Sequence, residues 1–158
     1  KNHLFLAENN TYYLVNEDPI LVELNSRSVA SLDLDNNGYL DMVVANFLDP
    51  PLVFKNNSNT SNNWIKIKLR SKTSNSFGIG AKVSIHTKLG TYHKLVSAGS
   101  QYISQEDTVL TFGLSDLARI ESVSILWPGA IKQVVTGPFS TNQLLEIYQE
   151  GHIAQQRL

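Results

Sequence analysis

The sequence contains no cysteine, which excludes disulfides, thiolate zinc sites and cysteine nucleophiles together. No apolar run approaches the roughly 20 residues that a membrane-spanning helix needs. Charge is sparse and balanced, with 13 Lys and Arg against 14 Asp and Glu for a net charge of -1. No general field therefore draws the chain to nucleic acid or to an acidic membrane surface. A start methionine and a signal-like apolar core are also missing, since the chain opens on Lys1, and a mature or excised fragment is the expected reading. Hydrophobic residues at 42 % and charged residues at 17 % lie outside the disordered range, and 158 residues suffice for one domain or for a domain plus part of another.

What the chain does hold is a series of short β-branched or alternating apolar runs bounded by Gly, Pro, Asn and Asp. Such runs read as strands, so an all-β protein is expected. Residues 1–59 carry a weak internal repeat, "LFLAENN" (4–10) against "LVFKNNS" (52–58), at an offset of 48 residues. That period is near the size of a β-propeller blade. The segment is expected to begin in the last strand of one blade and to run through a further blade formed by "TYYLVNE", "RSVASLDLD", "YLDMVVANF" and "PLVFKNN".

A polar stretch, "NNSNTSNN" (56–63), interrupts this pattern and places a domain boundary there. In "WIKIKLR" (64–70), Ile65, Ile67 and Leu69 face one way and Lys66, Lys68 and Arg70 the other. Further strands are expected at "AKVSIHT", "TYHKLVS", "DTVLTFG", "ARIESVSILW", "IKQVVT" and "NQLLEIYQ", which together suit a β-sandwich or small barrel over residues 60–150. The tail, 151–158, reads as a helical turn or as disordered chain.

The chemistry is concentrated in "DLDNNGYLD" (33–41). Asp33, Asp35, Asn37 and Asp41 follow D-x-D-x-N-G-x-x-D, with Gly38 where a tight loop requires positive φ. Unit like charges about 4 Å apart repel by roughly 4 kcal/mol at an effective dielectric near 20, so three converging carboxylates call for a counter-charge. Ca2+ fits this need: it takes about six to eight oxygen ligands at flexible geometry. The carboxylates, the Asn37 amide, a backbone carbonyl near Tyr39 and water are the expected donors. An EF-hand is excluded, because its twelfth position is Val44 and β-branched runs flank the loop. A metal-free Asp/Asn-rich turn is the alternative, since these residues favour turns in any case.

The motifs also carry a resemblance. "SVASLDLDNNGYLDMVVANF" resembles the FG-GAP/VCBS propeller repeat. The pieces "NNWIKIKLR", "SNSFGIGAKVSI", "SAGSQYISQED", "LTFGLSDLARIESVSILWPG" and "NQLLEIYQE" resemble the ASPIC/UnbV domain that closes members of the cartilage acidic protein family. Two departures are visible. "WPGA" (127–130) stands where members commonly read W-P-S-G, and the cysteine-bearing EGF-like tail of the animal proteins is missing, which favours a bacterial-type homologue. The resemblance implies a secreted or extracellular protein, with a bacterial periplasm or cell surface included. It also implies a propeller with several calcium loops, of which this chain keeps one, and action by binding an extracellular protein. No catalytic residue carries over. A homo-oligomer through exposed blade edges is a further expectation, since a single blade leaves its edges unpaired.

The remaining features have plainer readings. "GIGAK" (78–82) lacks the spacing of a phosphate loop and precedes a strand, so it reads as a turn or bulge; "FGL" (112–114) reads as a bulge or strand end. With Gly90 as the αL residue of a three-residue hairpin loop, Ile85 faces His93, Val83 faces Leu95, and His86 and His93 point to opposite faces. Trp64 and Trp127 read as core residues, with sugar stacking as the alternative. Asp107, Asp116 and Glu121 are not brought together by any pattern, so a glycosidase pair is not indicated. Asn9, Asn56 and Asn59 lie in N-x-[ST] sequons, which arise easily in an asparagine-rich chain. A non-catalytic calcium-binding module for protein recognition is the leading reading; a carbohydrate-binding module and an accessory enzyme of a biosynthetic pathway are its rivals.

Overall fold

The fold is described from a computed structural model, which covers residues 3–8, 11–15, 22–58, 60–73, 75–149 and 151–156. Strands are the one regular element among the described residues, and they fall into four sheets. The larger part is a sandwich of two four-stranded sheets. One holds β6 (Asn63–Arg70), β9 (Leu110–Ser115), β12 (Gln143–Tyr148) and β13 (Ile153–Gln156) in the order β13-β12-β6-β9. The other holds β7 (Lys82–Thr87), β8 (Gly90–Leu95), β10 (Arg119–Leu126) and β11 (Lys132–Ser140) in the order β11-β10-β7-β8.

Alternation along each strand builds the core. Ile65, Ile67 and Leu69 of β6 point inward, and Val83 and Ile85 of β7, Phe112 of β9, Val123 and Ile125 of β10, and Leu145 and Ile147 of β12 join them in one buried cluster. Each such side chain contributes about 1.5–3 kcal/mol by leaving water. Trp127 closes one end of this core with 1 % of its surface exposed. Its indole N–H donates to Gln133 Oε1 at 2.8 Å, and Gln133 Nε2 donates to the Tyr148 carbonyl at 3.0 Å, so one polar chain links the two sheets. Among the described residues all strand pairs are antiparallel except one: β12 runs parallel to β6, with Leu145 beside Ile67.

The N-terminal region forms two smaller sheets. β3 (Ser26–Leu32), β4 (Asp41–Asn46) and β5 (Leu52–Phe54) make a three-stranded antiparallel meander. β1 (Leu4–Glu8) and β2 (Thr11–Val15) make a separate hairpin with Glu8 opposite Thr11. β2 was expected as the first strand of the blade; it pairs with β1 instead. The two-residue connection makes that local pairing the cheaper one to close.

Two further expectations are corrected. The tail is neither helical nor irregular over Ile153–Gln156: β13 pairs antiparallel with β12, placing Ile153 opposite Ile147. The Tyr148 N–H donates to the His152 carbonyl at 2.9 Å and Gly151, at φ 95, turns the chain back. The β7–β8 register also differs by one residue. Thr87 pairs with Gly90, so the loop is the two residues Lys88 and Leu89, and His93 lies opposite Ser84. A slip of one residue moves every side chain to the other face, and both histidines therefore share the outer face of the sheet. By contrast "FGL" does mark a bulge, where the register against β6 shifts between Gly113 and Ser115, and "GIGAK" is a turn with Gly78 and Gly80 at φ 66 and 89.

Candidate metal centre

The aspartate loop joins β3 to β4, and strands flank it on both sides. Asn36 and Gly38 take left-handed backbone at φ 58 and 92, curling the chain so that its acids turn inward. Asp33 Oδ1 accepts the Asn37 N–H at 3.1 Å and Asp33 Oδ2 the Gly38 N–H at 2.7 Å. Asp35 Oδ1 accepts the Asn37 N–H at 3.3 Å, and Asn37 Oδ1 accepts the Tyr39 N–H at 2.8 Å. Asp41, 1 % exposed, takes the Leu34 N–H on one oxygen at 2.9 Å and the Asn56 N–H on the other at 2.7 Å. Carboxylates that accept several backbone N–H groups are held in one orientation.

Asp33, Asp35 and Asp41 each present an oxygen within 4.8 Å of the others. Three carboxylate oxygens so spaced are able to hold one metal ion between them. The other two expected donors sit in the same loop in supporting positions: Asn37 bridges within it, and the Tyr39 hydroxyl donates to the Thr60 carbonyl at 2.7 Å, anchoring the loop to the connection that leads into β6.

Two lysines already approach these acids. Lys55 Nζ lies 2.6 Å from Asp35 Oδ2, with 54 % and 36 % of the side chains exposed. This pairing lowers the Asp35 pKa and raises that of Lys55. Lys66 Nζ lies 2.6 Å from Asp33 Oδ2, and here only 7 % and 2 % are exposed. Lys66 comes from the outer face of β6, where Trp64 also lies; the Lys66 ammonium is 5.4 Å from the Trp64 ring centroid. Trp64, 8 % exposed, covers Gly38. It is buried as expected, though against the aspartate loop and not within the sandwich core. Alternation along β6 marks Trp64 and Lys66 as outward-facing, and only the three-dimensional structure shows what they meet.

The loop thus sits on a seam between the three-stranded sheet and the sandwich. Ser31 Oγ donates to Glu106 at 3.0 Å and Ser104 Oγ to the Val29 carbonyl at 3.3 Å across the same seam. A cleft of about 340 Å³ opens beside it, bordered by Asp33, Lys66, Lys94, Glu106 and Thr111. Along β6 the pattern of outward cations continues: Arg70 Nε donates to Glu146 Oε1 at 2.7 Å, with Lys68 3.7 Å from the same oxygen.

The other singled-out residues lie elsewhere. His86 Nε2 is 2.7 Å from Ser124 Oγ and its Nδ1 3.1 Å from Thr91 Oγ1, while His93 Nδ1 is 2.8 Å from Ser84 Oγ. This is a hydroxyl–imidazole network on an outer sheet face, with a threonine where a nucleophilic triad would need a carboxylate. Tyr102 is 71 % exposed. Asn56 Nδ2 donates to the Leu40 carbonyl at 3.3 Å; the sequon residues Asn9 and Asn59 lie outside the described residues. Among the described residues, no helix is long and apolar enough to cross a membrane.

Comparison with known proteins bears on the whole arrangement. The family described as ASPIC and UnbV matches residues 71–154, more than half of the chain. Cartilage acidic protein 1 of Mus musculus is 30% identical over 145 residues, and that of Homo sapiens 30% identical over 147 residues; each match covers 82% of this chain and 22% of the relative. Cartilage acidic protein 1 of Xenopus tropicalis is 30% identical over 125 residues, covering 70% of this chain and 19% of the relative. The chain therefore spans about a fifth of the length of these curated relatives.

Proposed function

Since the chain belongs to the ASPIC and UnbV family, with cartilage acidic proteins among its relatives, we propose that it is a non-catalytic, calcium-binding recognition module of an extracellular protein. In this reading residues 1–59 are an FG-GAP/VCBS repeat, the end of a propeller, and residues 60–150 are the ASPIC/UnbV sandwich that closes it. The convergence of Asp33, Asp35 and Asp41 on a common point carries the proposal.

The donor chemistry fits calcium. The three carboxylates offer hard oxygen ligands, the Asn37 amide and a backbone carbonyl near Tyr39 would complete the set once the Asn37 oxygen turns from the Tyr39 N–H, and calcium tolerates the irregular geometry of a strand-to-strand loop. When bound, the ion supplies positive charge to a cluster in which two ammonium groups face three carboxylates. Asp41 is buried and the Asp33 side chain is covered as well, and the two fix the frame of the site; Asp35 is the exposed donor. The role of the site is structural: it would hold β3, β4 and the docked edge of the sandwich in one arrangement and so present a fixed surface to a protein partner.

Thermal unfolding in calcium and in excess chelator tests the metal assignment. A ligand at about 100 times its Kd adds about 2.7 kcal/mol to stability, so the melting temperature is expected to rise with calcium and fall with chelator. An unmoved transition would refute it. Capture of secreted proteins, run beside a glycan array with and without calcium, tests the recognition role. Calcium-dependent protein capture is the expected result, and glycan binding without protein capture would favour the carbohydrate-binding alternative.

A further inference from the structure

Lys66 stands in an unusual place for a lysine on a sheet face. Its ammonium is buried on a buried carboxylate, at 2.6 Å from Asp33 Oδ2 with 7 % and 2 % of the two side chains exposed. It reaches the aspartate loop from the opposite side of the seam. We infer that Lys66 is the resident counter-ion of this loop, that calcium and the Lys66 ammonium compete for Asp33, and that Lys66 therefore sets the affinity of the loop for a divalent cation. The inference rests on the reading of the loop as a calcium site.

Three observations support this. Asp33 Oδ2 already accepts two hydrogens, from the Gly38 N–H and from Lys66, and Oδ1 accepts the Asn37 N–H. A carboxylate oxygen has two lone pairs, so an ion that draws on Oδ2 displaces one of its two donors, and the Lys66 side chain can swing away where the backbone N–H of Gly38 cannot; an ion on the remaining lone pair of Oδ1 still meets the ammonium as a like charge beside it. The contrast with Lys55 is instructive: its pairing with Asp35 is largely solvated, where ion pairs are weak and part easily. Lys66 has no comparable freedom. Its backbone is locked between β9 and β12, its neighbour Trp64 covers Gly38, and a charge left buried without its partner is costly. The competing cation is thus held by the sandwich while the site it serves belongs to the loop, which couples metal binding to the docking of the two.

The test uses calcium titration by calorimetry on the whole chain at low ionic strength. Lys66→Met keeps the apolar stem and removes the charge, and it is expected to bind calcium at least about tenfold more tightly than the unsubstituted protein, because a like charge next to the ion is gone. Lys66→Arg keeps the charge and is expected to bind no more tightly than the parent. Amine labelling read by mass spectrometry makes the same test on the unsubstituted protein, where Lys66 should be protected without calcium and several-fold more reactive at saturating calcium. Equal or weaker calcium affinity in Lys66→Met, or Lys66 labelling that calcium leaves unchanged while binding is measured, overturns the inference and leaves the metal site standing. Absence of calcium binding in both proteins overturns the metal reading and the inference together.

Discussion

The indole of Trp64 occupies the space into which any side chain at position 38 would project. Gly38 also sits at φ 92, a conformation that costs a non-glycine residue roughly 1–2 kcal/mol. Two independent reasons therefore hold glycine there, one in the backbone and one in the packing across the seam. Gly38→Ala is expected to destabilise the protein by about 2–4 kcal/mol, combining backbone strain with overpacking. Chemical denaturation followed by tryptophan fluorescence measures this, since Trp64 loses its cover. A loss below about 0.5 kcal/mol would mean that the loop does not dock as described.

The link from Trp127 through Gln133 to Tyr148 makes a separate prediction. Gln133→Leu leaves the buried indole N–H and the Tyr148 carbonyl without this partner. An unsatisfied buried polar group costs about 1–3 kcal/mol, and denaturant unfolding should show a loss of that size. Trp127→Phe in the Gln133→Leu background should lose less than the two single effects combined, because the indole donor is then absent as well.

Ala130 lies at φ 63, directly after Gly129 at φ 81. The pair closes the loop between Leu126 and Lys132, where the Trp127 N–H donates to the Ile131 carbonyl at 2.8 Å, and a left-handed backbone is one that glycine adopts without strain and alanine does not. Ala130→Gly is expected to stabilise the protein by about 0.5–1 kcal/mol, the relief of strain being partly offset by greater freedom in the unfolded chain. The departure "WPGA" from W-P-S-G thus falls on both left-handed residues, and the second of them, Ala130, is the one that accepts the strain. A lowered melting temperature in this variant would contradict the turn geometry.

Acid should weaken the β6–β12 pair. The Arg70 guanidinium, with burial opposing it and Lys68 assisting, holds the Glu146 carboxyl below its ordinary pKa of 4.5. Stability from this group is fully present above pH 4.5 and is lost as pH falls through the lower, folded-state value. At pH 7 Glu146→Gln is expected to cost about 0.5–1 kcal/mol for this partly exposed group, and the gap from the parent should close as the pH is taken down to about 2. Unfolding curves of both proteins across that range check it; a gap that stays constant would exclude a charge-based contribution.

Much of the sandwich was legible because its strands alternate cleanly: Ile65, Ile67 and Leu69 announce their face without any knowledge of a partner. The acids of the loop were legible because their spacing exceeds what a turn requires. Alternation says which residues face outward and nothing about what covers them, so Lys66 was assigned to an outer face whose second layer was invisible, and Trp64 was read as core when it is buried under the aspartate loop. The β7–β8 slip came from assigning Gly90 to an αL bulge, when Thr87 and Gly90 pair directly and the hairpin needs only two loop residues. β13 escaped notice because "HIAQQ" presents a single strongly apolar residue, and its place depends on the free flank of β12. The pairing of β2 with β1 was not anticipated, because propeller periodicity groups β2 with the strands that follow it.

The parallel pairing of β6 with β12 sets a condition on how this molecule can be made. The strand that opens the sandwich keeps one flank bare until the last central strand has been synthesised, because no earlier segment takes that position. The sandwich therefore cannot assemble piecemeal as it leaves the ribosome. A nascent chain arrested before Gln143 would carry an exposed ladder beside Ile65 and Ile67, open to the matching segment of any neighbouring chain.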